Sequence, residues 1–388
     1  MSSACVRALL AGAVLVSGAA GASAQEPSPA PSPSPSPAGE GPKLKLQAFV
    51  DTYFAYNTNR PFDHANFFPG VGTSAKRHDE ISINQAEVDV VLPPEPVGFK
   101  LALNFGTSTE VVHAAEVRGI AVSPDVWRNL IQASVQWQTK VGRGLLLEAG
   151  VYPSHIGLES FQTRDNWNYT RSWLGELSPY YQAGLKAALP LSEHWSAQLH
   201  LLNGWQTIAD NNDGKSLGTQ LAWSADRASF TLNGFLGPEL PGDDEDLRTM
   251  VDVLASFKLT PSFTLTAAFD AAQEERPAGD SVGWHGLGLY ARYAPPASRT
   301  AFAVRGEYYD DGDGAISGVA QTLKEITATL EHRPVPRLIL KLEGRYDRSS
   351  ADVFTTDTPP VSAESAGVGE PLRKRTQFLL LLGAVATF

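Results

Sequence analysis

Cysteine is all but absent: the single one among 388 residues is Cys5. It falls in a segment expected to be removed on export, so the folded chain should be free of thiols and disulfide staples and rely on hydrogen bonds and packing. A basic excess is missing too. With 31 Lys and Arg against 42 Asp and Glu the formal charge is −11, which speaks against a nucleic-acid partner. Beyond Lys43 there is no apolar run of the roughly 20 residues that a membrane-crossing helix needs. Nor is there a Gly-x-Ser-x-Gly elbow, a His-Glu-x-x-His pair or a phosphate-binding loop. No catalytic residue, metal site or cofactor is therefore assigned, and an enzyme is not expected. His155 and His200 are read as structural.

What is present begins with an export signal. Arg7 ends a short basic segment, Ala8 to Ala20 is apolar and small, and Ala22-Ser23-Ala24 precedes Gln25, the pattern of a secretory peptide (1–24) cleaved after Ala24. Its loss removes one basic residue and makes the charge one unit more negative. Residues 25–42, with Pro31-Ser32-Pro33-Ser34-Pro35-Ser36-Pro37, have no apolar bulk to bury and are expected to form a disordered periplasmic linker. The folded body is then 43–388.

Within that body, apolar and polar side chains alternate again and again, which is the period of a strand. Leu338, Leu340, Leu342, Gly344 and Tyr346 oppose Lys341, Glu343, Arg345 and Asp347. Ile131, Ala133, Val135 and Trp137 oppose Gln132, Ser134, Gln136 and Gln138, and Phe99, Leu101, Leu103 and Phe105 oppose Lys100 and Asn104. The strands are long, close to the 9–11 residues that cross hydrocarbon at a tilt and longer than the 5–6 usual in soluble sheets (about, in both cases). Short links near 93–96, 140–143, 191–193, 225–226, 260–261, 295–298 and 333–336 alternate strictly with long ones at 58–78, 108–127, 155–176, 206–213, 239–245, 274–281, 311–320 and 350–373. This is the asymmetry of periplasmic turns and extracellular loops. The expected fold is a closed antiparallel transmembrane β-barrel of about 16 strands (14–18), wide enough for an aqueous lumen. Tyr53, Tyr56, Trp195, Trp205, Trp284 and Tyr293 are candidates for aromatic girdles. The apolar final segment from Phe378 to Phe388 is what a barrel strand would present to the insertion machinery, and an aggregation hazard in a soluble protein.

The stretch Glu148-Ala149-Gly150-Val151-Tyr152-Pro153-Ser154-His155-Ile156-Gly157-Leu158-Glu159, then Asn166-Trp167-Asn168-Tyr169-Thr170-Arg171-Ser172 and Ser178-Pro179-Tyr180-Tyr181-Gln182-Ala183-Gly184, resembles the OmpL-like β-barrel porin family. About 40 residues match closely and the rest in pattern. The resemblance implies a bacterial outer-membrane porin and does not name a solute.

For such a pore, selectivity depends on charge and width at the narrowest point. The third long link, 155–176, is the candidate constriction, with Glu159, Arg164, Asp165, Arg171 and Glu176 as its ionic members. Lys100, Glu148, Lys186, Asp252, Lys258, Asp270, Arg292, Arg305, Glu307, Lys341, Glu343 and Arg345 are the pore-lining candidates, expected to make a hydrated wall of mixed sign. Asp310-Asp311-Gly312-Asp313-Gly314 lacks the downstream Glu of a calcium loop and is expected to be a solvated outer loop. Expected partners are small hydrophilic solutes, outer-membrane lipid and lipopolysaccharide, and the insertion machinery at Phe388, with a homotrimer among the possible assemblies. Passive diffusion is the favoured function. The alternatives are a closed structural or adhesive barrel whose loops bind a partner and, more remotely, a barrel lipase using His285.

Overall fold

Strands with one apolar and one ionic face fit a bilayer only if every backbone edge is paired. In the computed structural model, which describes residues 42–114, 116, 124–359 and 372–388, closure meets that demand with sixteen antiparallel strands. The first eight are β1 (Lys45–Asn57), β2 (Ile81–Leu92), β3 (Val97–Phe105), β4 (Leu130–Gln138), β5 (Leu146–Pro153), β6 (Tyr181–Pro190), β7 (Trp195–Leu202) and β8 (Ser216–Ala225). There follow β9 (Ala228–Pro238), β10 (Leu247–Thr260), β11 (Phe263–Glu275), β12 (Ser281–Tyr293), β13 (Thr300–Asp311), β14 (Gln321–Val335) and β15 (Leu338–Ser349). A small hairpin, β16 (Phe354–Thr355) with β17 (Arg373–Lys374), interrupts the last loop before β18 (Thr376–Thr387). The expected export peptide and all but the last residue of the linker lie outside the described residues.

Each barrel strand pairs with its sequence neighbours, and β18 closes on β1 with Phe49 opposite Thr387 and Asn57 opposite Leu379. Phe388 completes the seam: its N–H donates to the Ala48 carbonyl at 2.8 Å and the Ala48 N–H returns the bond at 3.2 Å. The short turns share one end with the start of β1 and the end of β18, and the longer connections share the other. One hairpin departs from the expected alternation, because β11 and β12 run on until residues 276–280 alone join them.

Outward positions such as Phe54, Leu342, Tyr346, Leu380 and Leu382 are exposed, while Lys341, Glu343, Arg345 and Asp347 between them are buried. The face split expected for β15 and β3 is therefore present. For β4 it holds only in part. Ala102 pairs with Gln132 and Leu103 with Leu130, so Ile131 is an extra residue in a bulge and is buried beside Val111 and Phe161 instead of joining Val135 and Trp137 outside. Of the girdle candidates Tyr56 and Tyr293 are exposed, but Tyr53, Trp205 and Trp284 are buried. Asp311 also departs from expectation: it is buried and accepts the N–H groups of Ala315 at 2.7 Å and Ser317 at 2.8 Å, tying down its own loop.

Candidate constriction of the lumen

A wide barrel with ionic inner faces must either be wet or find partners for its charges, since an unpaired buried ion is expensive. Residues 154–180, between β5 and β6, supply those partners by running through the lumen with their backbone groups turned to the wall. Glu343 on β15 accepts the N–H of Tyr169 at 2.5 Å, the N–H of Thr170 at 2.9 Å and the Thr170 hydroxyl at 2.5 Å. Glu307 on β13 accepts the N–H groups of Trp173 and Leu174, each at 2.6 Å, where the helical turn Trp173–Glu176 begins.

Cations of the same wall take the carbonyls. Lys341 Nζ donates to Thr163 at 2.8 Å and Asn166 at 2.5 Å, and Arg345 Nη1 donates to Arg171 at 2.5 Å. Arg305 donates to the Thr170 carbonyl at 2.7 Å and to Glu159 at 2.8 Å, while its Nε holds Glu325 at 2.6 Å. Asp51 on β1 receives the hydroxyls of Thr163 at 2.7 Å and Tyr169 at 2.8 Å. Across the lumen Asp252 accepts the Gly157 N–H at 3.3 Å and Asp270 the Ser178 hydroxyl at 3.1 Å. A charge-assisted hydrogen bond of this kind contributes about 1.5–3 kcal/mol, so the connection is fixed at several points on both walls.

The five expected loop residues separate into different roles. Glu159 is buried between Arg305 and the Ser172 N–H, the latter at 2.6 Å. Burial pushes its carboxyl up, but Arg305 and Ser172 outweigh that and hold it below the usual carboxylate range. Arg171 is buried, lies 4.8 Å from the Tyr180 ring centre and donates to the Glu159 carbonyl at 3.2 Å. Glu176 is buried as well, accepting the N–H of Gly72 at 2.8 Å and the hydroxyl of Thr73 at 2.6 Å, which latches the first long connection, 58–80, to the third. Asp165 is half exposed, and Arg164 keeps 21% of its side chain exposed.

Arg164 stands over the Phe49 ring at 4.1 Å, with its guanidinium 3.8 Å from Glu87 and 3.7 Å from Asp89. Arg164, Glu87 and Asp89, with Gln47, Lys100, Gln132 and Gln162, line a recess of about 180 Å³ between the loop and the β1–β5 wall.

All twelve wall candidates fall on inward positions, but most meet protein. Besides those already placed, Lys186 forms a close ion pair with Glu148 and lies 4.6 Å from the Tyr152 ring, and Arg292 pairs with Glu331 at 3.2 Å. Lys100 borders the recess and Lys258 is exposed at the periplasmic rim. The expectation of a hydrated wall throughout is overturned by the apolar content of the lumen. Toward its outer end Phe67, Phe68 and Val71 of the first connection, Trp173 and Leu174 of the third, Trp205 of the β7–β8 connection, and Val353 and Phe354 of the last pack with Phe235, Met250 and Trp284 of the wall. Phe68 stacks on Trp173 at 5.2 Å. Asp51, Glu87, Asp89, Glu325 and Glu331 were not singled out from the sequence, although the same alternation places each of them inward.

The latch predicts a local effect. Glu176→Ala leaves the N–H groups of Gly72 and Thr73 without their acceptor, so residues 58–80 should become more open to a protease while the barrel keeps its heat-modifiable mobility. An unchanged cleavage pattern would remove Glu176 from this role.

Comparison with known proteins places these features in a family. Residues 43–388 match the family model described as "Putative beta-barrel porin-2, OmpL-like". Among solved structures the chain is similar to the anion-selective porin from Comamonas acidovorans, at 13% identity with 89% of this chain and 99% of that one covered and a TM-score of 0.57. It is likewise similar to the outer membrane channel DcaP of Acinetobacter baumannii, at 15% identity, 90% and 98% coverage and a TM-score of 0.54. OprB of Pseudomonas putida matches at 13% identity, 89% and 94% coverage and a TM-score of 0.51. At such identities these three share the fold. No curated protein sequence matches.

Proposed function

The chain belongs to the OmpL-like beta-barrel porin-2 family of the bacterial outer membrane, and from that premise we infer that it is a narrow passive-diffusion channel whose solute path runs between the 154–180 connection and the β1–β5 wall. The observation that carries this reading is the polar recess of about 180 Å³ on that side, where Arg164 stays partly exposed. Elsewhere hydrogen bonds tie the loop to the wall and leave a smaller opening of about 70 Å³, lined by Leu158, Asp165, Trp167, Thr266 and Tyr290. Arg164 and Lys100 balance Glu87 and Asp89 around the recess, a lining suited to small hydrophilic solutes and to ions of either sign. Glu159, Arg171 and Glu176 hold the shape of the constriction, and Arg164 faces the solute, whereas Asp165 lines the opening on the β11–β12 side.

Export through cleavage after Ala24 and a periplasmic linker at 25–42 complete this reading, with Phe388 presented to the insertion machinery. No catalysis enters into it. One similar structure is a trimer form of OmpT of Vibrio cholerae, and a homotrimer is the assembly proposed here.

Swelling of liposomes that hold the full chain tests the path. Influx of small neutral sugars that falls steeply with their size is expected, and no influx of the smallest would overturn it. The apolar packing at the outer end favours the second reading, a closed barrel whose loops bind a partner, and that is the outcome which the absence of influx would support.

A further inference from the structure

A strand crossing hydrocarbon puts apolar side chains outward, and a charge there is tolerated only near the interface. By the alternation, the cations of the barrel strands point into the lumen with two exceptions, Lys324 on β14 and Arg348 on β15, both exposed. They are direct partners in the antiparallel register, Lys324 opposite Arg348, near the outer ends of their strands. Like charges placed opposite each other repel. Among the described residues no carboxylate lies within ion-pair distance of either one. The nearest outward carboxylate in sequence register, Asp310, is engaged by the Thr322 hydroxyl at 2.8 Å and the Tyr308 hydroxyl at 3.3 Å.

We propose that Lys324 and Arg348 form an outward-facing site for the phosphate of an outer-leaflet lipid, lipid A in kind, bound on the β13–β15 face. Three observations favour a lipid over a free anion. The pair lies on the bilayer-facing surface. Tyr308, opposite Lys324 in register and 5.6 Å from its Nζ, supplies an aromatic floor at headgroup level. Toward the midplane the next outward row is Ile326 opposite Tyr346, then Tyr346 opposite Phe378, apolar and exposed where acyl chains would lie. A bound phosphate would sit between the two cations and relieve their repulsion. The site rests on the barrel's lying in the outer membrane and is independent of whether the lumen conducts.

The test is lipid retention by the full chain in detergent, measured by native mass spectrometry with bisphosphorylated lipid A, dephosphorylated lipid A and inorganic phosphate. Wild type should hold bisphosphorylated lipid A at least about tenfold more tightly than the dephosphorylated form, and millimolar phosphate should not displace it. The double variant Lys324→Ala, Arg348→Ala should lose that preference while keeping wild-type heat-modifiable mobility. Equal retention of the two lipids by wild type, a requirement that needs no variant, would overturn the proposal. So would full retention by a folded double variant, or displacement by inorganic phosphate.

Discussion

Glu343→Ala should give a channel of higher and noisier conductance in a barrel that still folds. The carboxylate accepts two backbone N–H groups and the Thr170 hydroxyl from the 154–180 connection, and also the Thr329 hydroxyl at 2.6 Å. Each buried donor left without an acceptor costs about 1–3 kcal/mol, and three of these four donors belong to the loop. The wall is built otherwise: β15 keeps its backbone ladders with β14 and β18 from Leu338 onward, and no side chain enters them. The substitution should therefore loosen the constriction and spare the barrel. Glu343→Gln, which retains one acceptor oxygen, should fall between the two. Single-channel recordings decide it, and a Glu343→Ala conductance equal to wild type would mean that the loop does not limit flow.

Arg164→Glu should move the reversal potential in a salt gradient toward cation permeability. Arg164 is the cation nearest Glu87 and Asp89 at the recess, and reversing it leaves three acidic groups facing Lys100. The Debye length is about 10 Å at 0.1 M salt and about 3 Å at 1 M, so the shift should be large in dilute salt and fade in concentrated salt. Arg171→Ala should act differently. Its guanidinium is buried against Tyr180, so its removal should disturb conductance and loop order more than ion preference. If Arg164→Glu leaves the reversal potential unmoved at low salt, the solute path does not pass the recess.

The barrel was legible because the two solvents of a membrane pore impose themselves on every strand. Lipid outside and polar groups inside force a period of two, and a chain with no helix-length apolar run has no other way across. The strand count, the seam at Phe388 and the faces of β15 followed from that pattern. Ile131 did not, because a bulge inserts one residue and reverses the parity without any change in composition. The inward charges were legible as inward but not as anchors. Glu343, Glu307 and Lys341 bind backbone groups of residues more than 130 positions away, and backbone groups carry no sequence signal. The outer packing was the largest omission. Phe67-Phe68 in a long extracellular connection is more apolar than a solvated loop needs, and that pair was the available hint.

The central claim is that water and small solutes pass this barrel beside its anchored loop. Purified full-length chain in a planar bilayer tests it most directly: discrete conductance steps are expected, small in wild type and larger in Glu343→Ala. A bilayer that takes up folded protein and shows no steps at any applied voltage, in either form, would contradict the account.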